Sequence, residues 1–148
     1  MDYEAVRAGL QAAIPYNNHV GLEYTEVTDG RGVVRLPDAD HLKNHVGSQH
    51  AGALFSAGEA ASGGAFVGAF AEHMDGITPL ARSAEISYLK LAKGTITATA
   101  TLPGDTKELL ATLDSEGRIE FPVTVGMNDE RGTKVATMTV QWHVRKNA

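Results

Sequence analysis

The segment from Ala51 to Ala71 constrains this chain more than any other, because Glu59 is its only charged residue. Its large apolar side chains are Leu54, Phe55, Phe66, Val67 and Phe70, and most of the rest is Ala, Gly and Ser. The length would span a bilayer. A carboxylate in mid-span opposes insertion by about 3 kcal/mol, and the small residues offer little to offset it. The segment is therefore predicted as a buried helix of a globular protein, ending near Glu72 to Asp75 with Gly76 as stop signal. Glycine costs about 1 kcal/mol relative to alanine inside a helix. Five glycines here (Gly52, Gly58, Gly63, Gly64 and Gly68) point to close approach by a sheet, a second helix or a ligand.

The flanking sequence supplies a sheet. Residues 2–13 place Val6, Leu10 and Ala13 at helical spacing, and Pro15 is read as their stop. Val20 to Thr28 alternates, Asp29-Gly30 turns, and Gly32 to Leu36 resumes, which predicts a hairpin. Pro37 to Gln49 is polar and loop-like. Beyond Pro79, Arg82 to Leu89 alternates, Thr95 to Leu102 is nearly pure strand pattern, and Ile119 to Met127 and Lys134 to Val144 add two more strands. Residues 103–118 are read as a Gly- and charge-rich connection in which Leu109-Leu110-Ala111 adds a short strand or turn. With neither repeat nor linker, the expectation is one α+β domain over residues 1–148, its long helix packed on one face of an antiparallel sheet.

Bulk properties narrow the function. At 43% hydrophobic and 21% charged, the chain is too apolar for disorder. A formal charge of −5 argues against a nucleic-acid partner. The absence of cysteine removes disulfides, thiolate metal sites and thiol nucleophiles. Met1-Asp2-Tyr3-Glu4 is acidic and polar rather than a charged-then-apolar leader, so a cytoplasmic location is expected.

Chemistry concentrates at the start of the long helix. His50 stands where loop becomes helix, and the N–H groups of Ala51, Gly52 and Ala53 fall in the first turn, where intrahelical partners are lacking. Such donors suit an oxygen that gains negative charge. Glu59 has no countercharge nearby in sequence, and desolvation there favours a raised pKa and duty as general base or nucleophile. Ala51 and Glu59 are about 12 Å apart along a helix axis and about 80° apart around it. One helix cannot present both groups to one carbonyl. If they share a reaction, the donors come from the antiparallel helix of a second subunit, so the site predicts a two-fold dimer.

Asn44-x-x-Gly47-x-x-His50-x-Gly52, with Glu59 nine residues after the histidine, resembles the signature of the PaaI-type hotdog acyl-CoA thioesterases, Asn-x-x-Gly-x-x-His-Gly-Gly followed by an acid. Tyr88-Leu-Lys90-Leu-Ala92-Lys-Gly94 is similar to that family's Tyr-Leu-Arg-Pro-Ala-x-x-Gly strand, and Asp129-Glu-Arg-Gly132-x-x-Val135-Ala136 to its acidic turn. The resemblance spans roughly residues 18–145. It implies a hotdog fold, a curled antiparallel sheet around one long helix, assembled as a dimer or dimer of dimers and hydrolysing an acyl-CoA thioester. By the same resemblance Glu59 is the nucleophile or general base, the Ala51 amide the oxyanion donor beside Gly52, and Asn44 of the partner chain the group that positions water or the carboxylate. His50 then supports the loop or the thioester. Gly47, Phe55 and Gly63 are the candidate lining of the acyl site, and Arg82, Lys90 and Lys93 are candidate partners of the CoA phosphates. Two positions depart from the pattern: Ala51 replaces the first glycine after the histidine, and Ala81 replaces a Ser or Thr seven residues before the strand tyrosine.

Other readings stay open. His41, His45 and His50 near Asp40 suggest a metal site, but the loop has no helical signal to align the rings and no fourth ligand, so neither metal nor cofactor is expected. Ser48 and Ser62 lack a nucleophile elbow. A hotdog domain that binds an acyl ligand without cleaving it is the principal alternative. A hydratase is weaker, because no histidine follows Glu59 before His73.

Overall fold

The computed structural model describes residues 1–148. Two N-terminal helices, α1 (Tyr3–Ala13) and α2 (Pro15–Val20), precede a hairpin of β1 (Glu23–Thr28) and β2 (Arg31–Leu36). A loop with a 3-10 turn at Asp40–Leu42 leads into α3 (Ala51–Phe70). Then follow β3 (Ile77–Tyr88), β4 (Ile96–Thr101), α4 (Thr106–Glu116), β5 (Arg118–Asn128) and β6 (Lys134–Lys146). The strands form one antiparallel sheet in the order β1-β2-β4-β5-β6-β3, packed around α3. This is the hotdog arrangement. No helix is long and apolar enough to cross a membrane.

The sheet accounts for most of the glycines. Gly32 of β2 lies so close to α3 that a methyl there would strike the Ala61 carbonyl and come within 2.6 Å of the Ala65 nitrogen. A methyl on Gly68 would strike the Thr28 carbonyl. The contacts at Gly58 and Gly64 are softer: a methyl on Gly58 would meet the flexible Met138 sulfur at 2.5 Å, and one on Gly64 would lie 3.3 Å from the Tyr24 ring. Gly52 and Gly63 do not share this explanation: only His50 lies near the first, and only Trp142, at 3.9 Å, near the second. Below Gly63 the core closes with stacked aromatic rings, Phe66 on Phe70 at 4.8 Å and on Trp142 at 5.1 Å.

The two sheet edges are treated differently. At the β1 edge, α1 supplies side-chain partners to the strand: Tyr24 N donates to Gln11 Oε1 at 2.7 Å, and Arg7 Nη1 donates to the Tyr24 carbonyl at 3.0 Å. At the other edge β3 runs twelve residues, pairs only with β6, and is exposed along most of its length. An open edge of that length is a template for a further strand.

Two local expectations are corrected. The connection over residues 103–118 contains α4, capped by Asp105 Oδ1 accepting from Lys107 N at 2.9 Å and stopped by Gly117 at φ 80°. Leu109, Leu110 and Leu113 turn inward as a helix stripe, not as a strand or turn. Pro15 does not merely stop α1; it is the first residue of α2, where its missing N–H is no loss. The helical run from Ala51 ends at Gly76 as expected, α-helical to Phe70 and 3-10 over Ala71–Gly76.

Candidate active site

The loop before α3 is fixed by its own side chains. Asn44 Oδ1 accepts from Val46 N at 3.0 Å and Ser48 N at 3.1 Å, and its Nδ2 donates to Ser48 Oγ at 2.8 Å. One amide hydrogen of Asn44 is left over. Gly47 takes φ 79°, closing the turn in a region that disfavours other residues. Gln49 is buried and donates to the carbonyls of Pro37 and Gly94, both at 2.9 Å, tying this loop to the turn before β4.

His50 caps α3. Its Nδ1 accepts from Gly52 N at 2.8 Å, so the neutral ring carries its proton on Nε2. Its carbonyl accepts from Ala53 N at 2.9 Å and Leu54 N at 3.1 Å. Of the three first-turn amides that sequence reasoning offered as donors, Gly52 and Ala53 are therefore engaged. The Ala51 N–H is the one left free, at an exposed residue. Gly52 contributes small size rather than a donor.

Along α3 the residues not fully buried are Ala51, Gly52, Phe55, Glu59, Gly63, Val67 and Ala69, and all but Ala69 follow one stripe. Glu59 is partly buried, and burial alone raises its carboxyl above the usual range; no cation or hydrogen-bond donor offsets it. Beneath the stripe, the buried Tyr24 phenol is pushed up by desolvation and then by the Glu59 charge, while Asn17 Nδ2, donating to its oxygen at 3.1 Å, acts the other way.

Two tyrosines bracket the helix start. Tyr88, from β3, donates to the Ala51 carbonyl at 3.1 Å. Tyr16, from α2, meets Ser56 Oγ at 2.8 Å, and Ser56 donates to the Gly52 carbonyl at 2.9 Å. One turn below Glu59, Ser62 donates to the Glu59 carbonyl at 2.7 Å and accepts from Trp142 Nε1 at 3.2 Å. Tyr16, Tyr24 and Trp142 were not singled out from the sequence. They arrive from elements distant in the chain, and no local spacing announces them.

Ser48 and Ser62 are both buried and engaged, which leaves neither open to a substrate. His50 is turned onto Gly52, and no three side chains of His, Cys, Asp or Glu are placed so that they could hold a metal ion.

The basic residues divide. Lys90 and Lys93 line an open groove of about 530 Å³ together with Arg131, Asp129 and Glu130. Asp129 and Glu130 accept from the backbone, at Arg131 and Thr133 N and at Thr95 N respectively, and none of the three cations is in an ion pair with them. Arg82 lines a separate groove with Arg118 and His143, with Glu120 3.6 Å away. Within one protomer Arg82 does not join Lys90 and Lys93. Glu59 lines neither of these two grooves.

Residues 3–144 match the family DUF4442, a domain of unknown function. The chain belongs to that family. No curated protein matches it. Among solved structures, a Pseudomonas aeruginosa protein of unknown function described as a probable thioesterase is 26% identical at a TM-score of 0.87, covering 97% of this chain and 95% of that one. A thioesterase family protein from Silicibacter pomeroyi is 19% identical at 0.77, covering 97% and 98%. The Escherichia coli PaaI protein, from the phenylacetic acid degradation operon, is 17% identical at 0.75, covering 98% and 93%. The DUF4442 chain thus shares its hotdog fold with PaaI and thioesterase-family proteins over nearly its whole length.

Proposed function

We propose that this DUF4442 protein is a homodimeric acyl-CoA thioesterase in which Glu59 of one subunit works against the Ala51 amide of the other. The observation that carries the reading is the pair of uncompensated groups on one helix stripe: a desolvated carboxylate and a single free first-turn N–H. They are opposite in charge preference and too far apart to meet within a protomer. The bare β3 edge supports a two-fold assembly that would bring them together. The likeness to the probable thioesterase supports the reaction class.

In the proposed reaction the thioester carbonyl oxygen points at the partner's Ala51 N–H. Glu59 takes a proton from water as the water oxygen bonds to the carbonyl carbon, and the oxygen becomes an oxyanion held by that amide. Collapse breaks the C–S bond, the thiolate of CoA leaves and is protonated, and the acid product remains. Attack by Glu59 itself would instead form an anhydride that water opens. After a single turnover in ¹⁸O-water, label in Glu59 would establish the anhydride route, because direct attack by water labels only the acid product. Lys90, Lys93 and Arg131 offer positive charge to the CoA phosphates.

The test is thiol release from a panel of acyl-CoA esters. Wild type should turn over at least one, and Glu59→Gln should lose about a hundredfold or more. Equal rates would remove Glu59 from the mechanism. Tight binding of acyl-CoA with no turnover would establish instead the ligand-binding alternative, in which the same stripe holds an acyl group without cleaving it.

A further inference from the structure

Phe55 occupies a special place on the uncovered stripe. It is four residues from Ala51 and four from Glu59, which puts it about 6 Å along the axis and about 40° around it from each. Any two-fold operation that carries the Ala51 amide of one helix onto Glu59 of the other must pass its axis beside that midpoint. Phe55 is also the one large apolar side chain of α3 left exposed, at 37%. Its stripe neighbours Ala51, Gly52 and Gly63 are small enough to let a second helix approach closely. Charge complementarity favours the antiparallel sense, because each Glu59 then faces the positive end of the partner helix. A parallel pairing would set the two acids side by side.

We infer that Phe55 lies on the dimer axis, where it packs against Phe55 of the partner subunit and forms the wall common to both acyl sites. The occupant of this helix face is a second copy of the chain. The inference rests on the proposed pairing of Glu59 with the partner's Ala51 amide. It adds that the two sites are separated only by this ring pair, so a change at Phe55 reshapes both at once.

Because the chain has no cysteine, a single introduced thiol is an unambiguous probe. Phe55→Cys, purified and exposed to mild oxidant or to a short bismaleimide, should become a covalent dimer on a non-reducing gel. A disulfide requires Cβ atoms within about 4.5 Å, which only residues beside the axis satisfy. Val67→Cys is the control: it stands about 18 Å along the helix from Phe55, so two copies would be about 36 Å apart and should stay unlinked. If Phe55→Cys fails to fold by circular dichroism, the double variant Ala51→Cys/Glu59→Cys should be linked across the dimer by the bismaleimide, which spans the space the thioester would occupy. No link in the variants that fold, or equal linking of Val67→Cys, would overturn the inference. Linking at Phe55 in a protein that cleaves no acyl-CoA would leave this axis standing and remove the enzymatic reading. Glu59-dependent turnover without linking would do the reverse.

Discussion

Replacing Ala51 by proline removes one hydrogen-bond donor and little else. Ala51 is the first residue of α3, a position where proline is favoured because its N–H has no intrahelical partner. The residue before it, His50, already has φ −63° and ψ 144°, within the extended range that a following proline demands. The Ala51 amide donates no hydrogen bond in the protomer, so folding loses none. A compatible proline restricts the unfolded chain and stabilises by about 0.4–1 kcal/mol, which for a chain of this size raises Tm by up to about 4 °C. Catalysis should respond oppositely. Losing one oxyanion donor lowers kcat by about 10²–10³, equivalent to roughly 2.7–4 kcal/mol. Thiol release on acyl-CoA gives the rate, and thermal unfolding of the same sample gives Tm. Ala51→Gly, which keeps the amide and removes a methyl, should retain activity. A proline variant that unfolds early would refute the structural reasoning. One that is stable and fully active would refute the role of the amide.

Glu59 carries a pH signature in stability as well as rate. Its carboxyl is raised in the folded state, so its contribution is favourable at acid pH and is lost as pH rises through the raised value. Glu59→Gln should therefore unfold at a higher temperature than wild type at neutral pH, with the gap closing on acidification; a gap independent of pH would contradict the burial argument. The wild-type rate should rise with pH through that same titration, since the base must be ionised. In the Lys90, Lys93 and Arg131 groove, Lys90→Glu/Lys93→Glu should raise KM for an acyl-CoA. It should leave the corresponding pantetheine ester, which lacks the nucleotide phosphates, nearly unaffected; equal effects on both would remove the groove from phosphate binding.

The long helix and its acid were legible because small residues, one charge and the Asn44-to-Gly52 spacing are local signals. That Ala51 and Glu59 cannot serve one carbonyl from one helix followed from helix geometry alone. Which amide stays free was not, because that depends on His50 turning Nδ1 onto Gly52, a rotamer choice that spacing does not encode. Alternation from Arg82 to Leu89 marked a strand but not its exposure: both faces of β3 are largely exposed because α3 does not lie over that strand. Within one protomer Arg82 stands apart from Lys90 and Lys93, since eight residues of strand extend about 26 Å. The helix α4 was missed although Asp105 and Gly117 bracket it as caps; composition was read where the capping pair was the better signal.

Subunit mixing tests the central arrangement most directly. Glu59→Gln and Ala51→Pro homodimers should each be nearly inactive. Unfolded together and refolded at equal concentrations, half the dimers are mixed, and each mixed dimer holds one site with both groups intact, so activity should recover to about a quarter of wild type. If Glu59 and the Ala51 amide served the same site from one chain, every site would carry a defect and mixing would restore nothing.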